Sequence, residues 1–189
     1  MDQINLPTKK SRNIFFAKKV DQSSVNDLAK EIIEINQEDE HMIKLCAVYD
    51  IEYKRKPIII YVDSYGGMAY QCFGLLSIMA HSKTPIHTIV TGCAMSCGFL
   101  ISISGHKRYA YSTSTLLYHQ VSSGTVGKVK DMEEDLIETL RLQEKVEEIT
   151  IAKTKISKAK LEKIYKRKID WFISAEEALK LGAIDEIIR

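Results

Sequence analysis

Hydrophobic and polar positions follow two alternating periods along most of the chain. A short apolar run over residues 13–17 suits a strand. Ser23 and Ser24 then stand as N-caps before Val25, Leu28, Ala29, Ile32 and Ile33. That i, i+3, i+4, i+7, i+8 stripe predicts an amphipathic helix. A second amphipathic segment covers about residues 40–50, and the charged turn Tyr53-Lys54-Arg55-Lys56-Pro57 ends it. Ile58-Ile59-Ile60-Tyr61-Val62 is β-branched and apolar on both faces, as a buried parallel strand requires. Asp63-Ser64-Tyr65-Gly66-Gly67 reads as a turn, and residues 68–81 as a helix.

The pattern then repeats. Pro85 opens the apolar run Ile86-His87-Thr88-Ile89-Val90, Thr91-Gly92 breaks it, and residues 94–104 read as a helix of small and apolar residues. Leu116-Leu117-Tyr118 is a third short strand. A long helix over about 131–152 carries Met132, Leu136, Ile137, Leu140, Val146 and Ile149. Ser174 and Glu177 form a capping box, Gly182 stops that helix, and residues 183–188 form a last strand. Strands alternating with helices predict an α/β fold around a parallel sheet. Residues 1–12 read as a short polar arm and 13–189 as one domain.

Composition narrows the function classes. The 189 residues carry 27 Lys plus Arg against 25 Asp plus Glu, a net +2. That balance argues against a dedicated nucleic-acid binder, which concentrates basic residues on one face. The basic clusters and the acidic stretches Glu38-Asp39-Glu40 and Glu133-Glu134-Asp135 read as solvated faces or subunit contacts. No apolar stretch approaches the roughly 20 residues of a membrane helix, and residues 1–10 hold no signal-peptide core. Cys46, Cys72, Cys93 and Cys97 contain no CxxC pair, so no disulfide framework, metal site or cofactor is expected. Cys93 and Cys97, four apart, read as small core residues on one helix face. The expected location is a reducing cytoplasm.

Candidate chemistry sits where strands give way to helices. In open α/β sheets ligands bind at the carboxyl ends of strands, where both Gly66-Gly67 and the stretch 92–98 fall. Ser96 lies among small residues, at a helix start rich in free N–H groups. The Cys97 amide is placed to donate to an oxyanion, with Gly67 a natural second donor. His119 follows the strand 116–118, and Asp170 stands between a basic stretch and the apolar pair Trp171-Phe172. Serine, base and orienting acid are the parts of an acyl-transfer triad. Periodicity alone leaves a helix-capping serine and a structural histidine as open alternatives.

The ordered fragments resemble those of the ClpP-type self-compartmentalised serine proteases. The segment 60–67, ending in Asp63-Ser64-Tyr65-Gly66-Gly67, is similar to a family strand ending in Asn-Ser-Pro-Gly-Gly. Gly92-Cys93-Ala94-Met95-Ser96-Cys97-Gly98 is similar to the family's Gly-x-Ala-Ala-Ser-Met-Gly. Tyr118-His119-Gln120, the stretch 169–178 and Leu181-Gly182-Ala183-Ile184-Asp185 resemble its remaining motifs in the same order. The resemblance covers residues 12–189. It implies a spiral of parallel strands and helices with a protruding handle helix, at about 121–155. Ser96 would be nucleophile, His119 general base and Asp170 its orienting acid, with an oxyanion hole at Gly67 and Cys97. Val121, Ser122, Ser123 and Gly124 would pair with substrate. It further implies heptameric rings, single or stacked in two, enclosing a chamber for polypeptides, and a hexameric AAA+ unfoldase partner.

Departures from the family pattern modify these expectations. The arm before Asn13 is shorter than usual, so gating and unfoldase docking are expected to differ. Tyr65 replaces a proline, which leaves the oxyanion loop less pre-set. Lys168 and Ile169 replace ring-linking charged residues, so the ring contact is expected to change. Ser122-Ser123-Gly124 is less glycine-rich than the family's pairing strand. Two other readings keep the spiral core: an inactive or regulatory ring subunit, and an acyl-CoA hydratase-like enzyme. The latter shares the backbone oxyanion hole but needs no Ser-His-Asp set.

Overall fold

Two strands form the centre of the sheet, β2 (Ile58–Ser64) and β3 (Ile86–Met95), in a computed structural model that describes residues 11–189. They run parallel in register, Ile58 beside Ile86 and Val62 beside Val90. Ile58, Ile60 and Val62 are fully buried on one face. The other face of β2 is only half-covered: Tyr61 stacks there on the exposed Phe15, with ring centroids 4.6 Å apart. Thus β2 buries one face rather than the two its apolar run suggests.

Around this centre the elements follow in the order β1 (Asn13–Phe16), α1 (Gln22–Ala47), β2, α2 (Ala69–His81), β3, α3 (Cys97–Ile103), β4 (Lys107–Tyr111) and β5 (Thr115–Tyr118). Then come α4 (Val129–Lys153), α5 (Lys158–Arg167), β6 (Trp171–Ser174), α6 (Ala175–Lys180) and β7 (Glu186–Ile188). The parallel path is β1-β2-β3-β4-β7. β5 joins β3 in parallel beyond β4, and β6 is antiparallel to β5. The result is the α/β class expected, with a parallel sheet and helices packed on it.

The long strand β3 changes partners part-way. Residues 87–90 pair with β4, whereas Cys93, Ala94 and Met95 pair with β5. Thr91-Gly92 therefore does not break the strand. The Asp63 carboxylate reaches across β3 and accepts the Cys93 N–H at 2.9 Å. A Cβ at Gly92 would lie 2.7 Å from that carboxylate oxygen. Glycine marks a close approach there, not an end. Consequently the following helix starts at Cys97 rather than Ala94, and Cys93 sits on a strand instead of sharing a helix face with Cys97.

Helix α1 fuses the two amphipathic segments into 26 residues. Its N-cap is Asp21, whose carboxylate accepts the Ser24 N–H at 2.9 Å while Ser24 Oγ accepts the Asp21 N–H at 3.1 Å. Ser24 is thus the reciprocal partner of the cap, not the cap. At Ser174 half of the expected box forms: its hydroxyl accepts the Glu177 N–H at 3.2 Å, but the Glu177 carboxylate accepts from Trp171 instead, and the following helix ends before Gly182. β4, α5 and β6 go beyond the elements the sequence pattern predicts: β4 and β6 are only five and four residues long, and α5 buries only Leu161 and Ile164 among charged residues.

One polar cluster binds the periphery of the sheet. Asp39 is fully buried on α1, although its acidic neighbours suggested a solvated face. Its carboxylate accepts from both terminal guanidinium nitrogens of Arg12, the Tyr53 hydroxyl at 2.6 Å and the Thr84 hydroxyl at 2.6 Å. Arg12 also donates to the Lys56 carbonyl at 2.7 Å. The segments before β1, β2 and β3 are tied to α1 at this point. Residues 1–10, most of the expected arm, lie outside the described residues.

Candidate active site

Parallel pairing brings three carboxyl ends to one edge of the sheet. β2 ends at Ser64, β3 at Met95 and β5 at Tyr118, so Gly66-Gly67, Ser96 and His119 all follow strand ends. Because β6 is antiparallel to β5, its beginning lies at the same edge. The ladder ends with Tyr118 paired to Trp171, so His119 and Asp170 are the residues that flank its last rung. Four segments far apart in sequence are gathered at this edge by strand pairing.

Ser96 itself adopts φ 54° and ψ −120°. A non-glycine residue in that region stores about 1–3 kcal/mol and persists only where the surroundings impose it. Here the Ser96 N–H donates to the Leu117 carbonyl at 3.0 Å, and the Ser96 carbonyl accepts the Leu100 N–H at 3.2 Å. The sharp strand-to-helix turn presents the side chain, half-exposed, to a cavity of about 550 Å³. His119, also half-exposed, lines the same cavity, as do Gly67, Cys97 and Tyr118.

The loop after β2 is threaded under this turn. Ser64 Oγ accepts the Gly66 N–H at 3.1 Å and donates to the Lys18 carbonyl at 2.6 Å. The Gly66 carbonyl accepts the Val20 N–H, and the Val20 carbonyl accepts the Met68 N–H, each at 2.8 Å. The Cys97 thiol donates to the Gly67 carbonyl at 3.3 Å, which holds the two candidate oxyanion residues side by side. A hydrogen bond from Cys72 keeps the Cys97 thiol below its usual range despite burial. That same hydrogen bond, and then burial, push Cys72 up.

Gly66 has φ 93°, and a Cβ there would sit 2.6 Å from the Met95 carbonyl and 2.8 Å from Ser96 Cβ. Gly66→Ala is therefore expected to lower stability by about 2 kcal/mol or more and, by displacing the turn, the reactivity of Ser96 at least about tenfold. The control is Gly74→Ala on the exposed side of α2, where nothing lies within 4 Å. Helix propensity there predicts a gain of about 0.5–1 kcal/mol with activity retained. Urea unfolding and the rate at which a fluorophosphonate labels Ser96 in both variants check the pair.

Asp170 is placed less tightly. It is exposed, it does not line the cavity, and among the described residues no side-chain hydrogen bond joins His119 to Asp170 or Ser96. Its backbone position is nonetheless set from both sides. Lys168 closes α5 in the left-handed conformation, and the Ile169 N–H donates to the Ile164 carbonyl at 3.1 Å. On the other side Trp171 donates to Glu177 at 3.2 Å and lies under the Lys160 ammonium, 4.2 Å from the ring centroid.

Val121, Ser122 and Ser123 line the cavity, whereas Gly124 does not and has open space around it. This segment lies under α4: Thr139 Oγ1 donates to Ser123 Oγ at 3.0 Å, and the Val121 N–H donates to Gln143 Oε1 at 2.8 Å. Tyr65 is 80% exposed and stands outside the cavity, so it does not shape the pocket around Ser96. Gln143 was not anticipated, because a glutamine in a long charged helix carries no sequence signal.

Comparison with known proteins agrees with this architecture. The profile of a family described as Clp protease matches residues 2–189. The chain is 30% identical over 181 residues to a Deinococcus radiodurans protein named ATP-dependent Clp protease proteolytic subunit. That alignment takes in 95% of this chain and 81% of the relative. A match that spans nearly the whole chain, on an α/β fold with its strand ends gathered around Ser96, settles the lineage: the chain belongs to the Clp protease family and is a serine peptidase.

Proposed function

We propose that this subunit cleaves peptide bonds of unfolded polypeptides with Ser96 as nucleophile, His119 as general base and Asp170 as orienting acid. The observation that carries the reading is the strained Ser96 turn at the end of β3, which shares a cavity with His119 at the end of the adjacent parallel strand. Ser96 Oγ attacks the scissile carbonyl while His119 removes its proton. The amides of Gly67 and Cys97 receive the developing oxyanion. His119 then protonates the leaving amine, and water releases the acyl group by the same route reversed. Asp170 accepts from His119 and holds its tautomer, the contact that closes when the site is assembled around substrate. Val121, Ser122, Ser123 and Gly124 supply the edge against which substrate extends.

Assembly belongs to the same proposal. Along α4, Val129, Met132, Leu136, Ile137 and Leu140 are all exposed in the single chain. An apolar stripe of that kind marks a contact with another protein, and copies of this chain in a heptameric ring, single or stacked in two, would cover it. Ring closure would confine the site to a chamber, and a hexameric AAA+ unfoldase would deliver substrate. Among the described residues no helix is long and apolar enough to cross a membrane.

The test is labelling by a fluorophosphonate probe. The expected result is one adduct per chain, mapped by peptide mass spectrometry to Ser96. Folded, assembled protein that takes no label would instead favour the inactive ring subunit.

A further inference from the structure

Gln143 is one of the few polar side chains that the fold buries completely enough to leave it 6% exposed. It rises from α4 against the segment that carries His119. Its Oε1 accepts the Val121 N–H at 2.8 Å, and its Nε2 donates to Glu147 at 2.7 Å and, at 3.5 Å, to the Tyr118 hydroxyl. Tyr118 and Val121 bracket His119. Regular strand pairing stops at Tyr118, so nothing in the sheet ladder fixes the residues that follow. Tyr118 is itself locked: it is 2% exposed and meets Phe99 of α3 edge-on, at 5.9 Å and 79°. Since α3 begins immediately after Ser96, one continuous contact runs from the Ser96 turn through Phe99 and Tyr118 to Gln143 and back to Val121.

We infer that Gln143 is a positioning residue for His119, clamping the chain on both sides of the imidazole. This deepens the triad reading above and rests on it. A glutamine suits the task because it offers an acceptor and a donor on one planar group. The acceptor takes the backbone N–H of Val121, three residues beyond the strand end at Tyr118, and Glu147, one turn along α4, holds the amide in that orientation. Buried amide groups of this kind are costly to leave half-paired, so the geometry is all-or-none. A shift of about 1 Å in a catalytic base lowers turnover on the order of a hundredfold.

Two variants test the clamp. Gln143→Met keeps the length and burial but removes both hydrogen-bonding groups. The double variant Gln143→Glu with Glu147→Gln exchanges the partners: a carboxylate accepts the Val121 N–H and in turn accepts from the new amide. Three quantities are measured: kcat and KM for a fluorogenic peptide, the rate of fluorophosphonate labelling at Ser96, and the urea midpoint. Gln143→Met is expected to lower kcat and the labelling rate together by about 10- to 100-fold, with KM changed less than about threefold. The exchanged pair is expected to recover at least tenfold of that loss. A rise in KM with an unchanged labelling rate would assign Gln143 to substrate pairing and overturn the inference. So would a lowered urea midpoint with kcat intact, or an exchanged pair no better than Gln143→Met. Wild-type protein that fails to label at Ser96 would instead bring down the triad reading itself, which separates the two failures.

Discussion

Ser96→Ala is expected to lower kcat for a small fluorogenic peptide by roughly 10⁴- to 10⁶-fold, with folding and assembly intact. The size follows from what is removed. Without Oγ there is no covalent intermediate, and the remaining groups only polarise the carbonyl for direct attack by water. The variant keeps the fold because the turn is held by backbone contacts, the Ser96 N–H to Leu117 and the Leu100 N–H to the Ser96 carbonyl. The substitution leaves those bonds in place, and alanine adopts the same strained φ at similar cost. Assays at matched protein concentration, with circular dichroism and a mass measurement of the assembly, check it. Activity retained within tenfold would remove Ser96 from the mechanism.

Asp39→Ala is expected to cost about 3–5 kcal/mol of stability, the largest effect anticipated from any change outside the active site. The penalty is not the loss of an ion pair as such. Removing the carboxylate leaves the Arg12 guanidinium, 11% exposed, and the Tyr53 and Thr84 hydroxyls without their acceptor in a closed environment. The same cluster sets a pH dependence. Burial would raise the Asp39 pKa, but hydrogen bonds from Arg12, Thr84 and Tyr53 outweigh it and bring it from 3.8 to about 2. The unfolded chain binds this proton more readily than the folded one. Up to about 2 kcal/mol of stability is therefore present above pH 5 and is lost as the pH falls toward 2. Urea midpoints of wild type and Asp39→Ala should differ most at neutral pH and converge on acidification. A gap independent of pH would show that the carboxylate charge contributes nothing.

Much of this molecule is legible in its sequence where the physics is local. The stripe from Val25 to Ile33, the β-branched run from Ile58 and the Ser174 N-cap each mark an element through the pattern of a few neighbouring residues. The candidate serine, histidine and aspartate were identifiable because glycines and strand ends mark where a parallel sheet exposes its chemistry. The resemblance to a known family then supplied roles that spacing alone left open. The family match extends over the same stretch of chain.

Where local pattern misled, a distant group had intervened. Thr91-Gly92 has the composition of a break, yet β3 continues because the Asp63 carboxylate binds Cys93 across it. Glu38-Asp39-Glu40 has the composition of a solvated face, yet Asp39 is buried by Arg12, Tyr53 and Thr84, which lie 27, 14 and 45 residues away. α5 and β6 are short, with only Leu161, Ile164 and Ile173 buried among them, and they are held together by packing such as that of Lys160 on Trp171.

The sequence by itself determined the α/β class, the positions of most strands and helices, and which residues are chemically able to act. Hydrophobic period and capping chemistry depend on neighbours in the chain, so they survive in a one-dimensional reading. Only the tertiary structure decided that β3 divides its length between β4 and β5. That division sets His119 beside Ser96 and brings Asp170 to the same edge through β6. It also decided that Gln143 reaches the chain on both sides of His119. Strand order, register and buried polar contacts join residues separated by tens of positions, and their energies exist only once those segments have met.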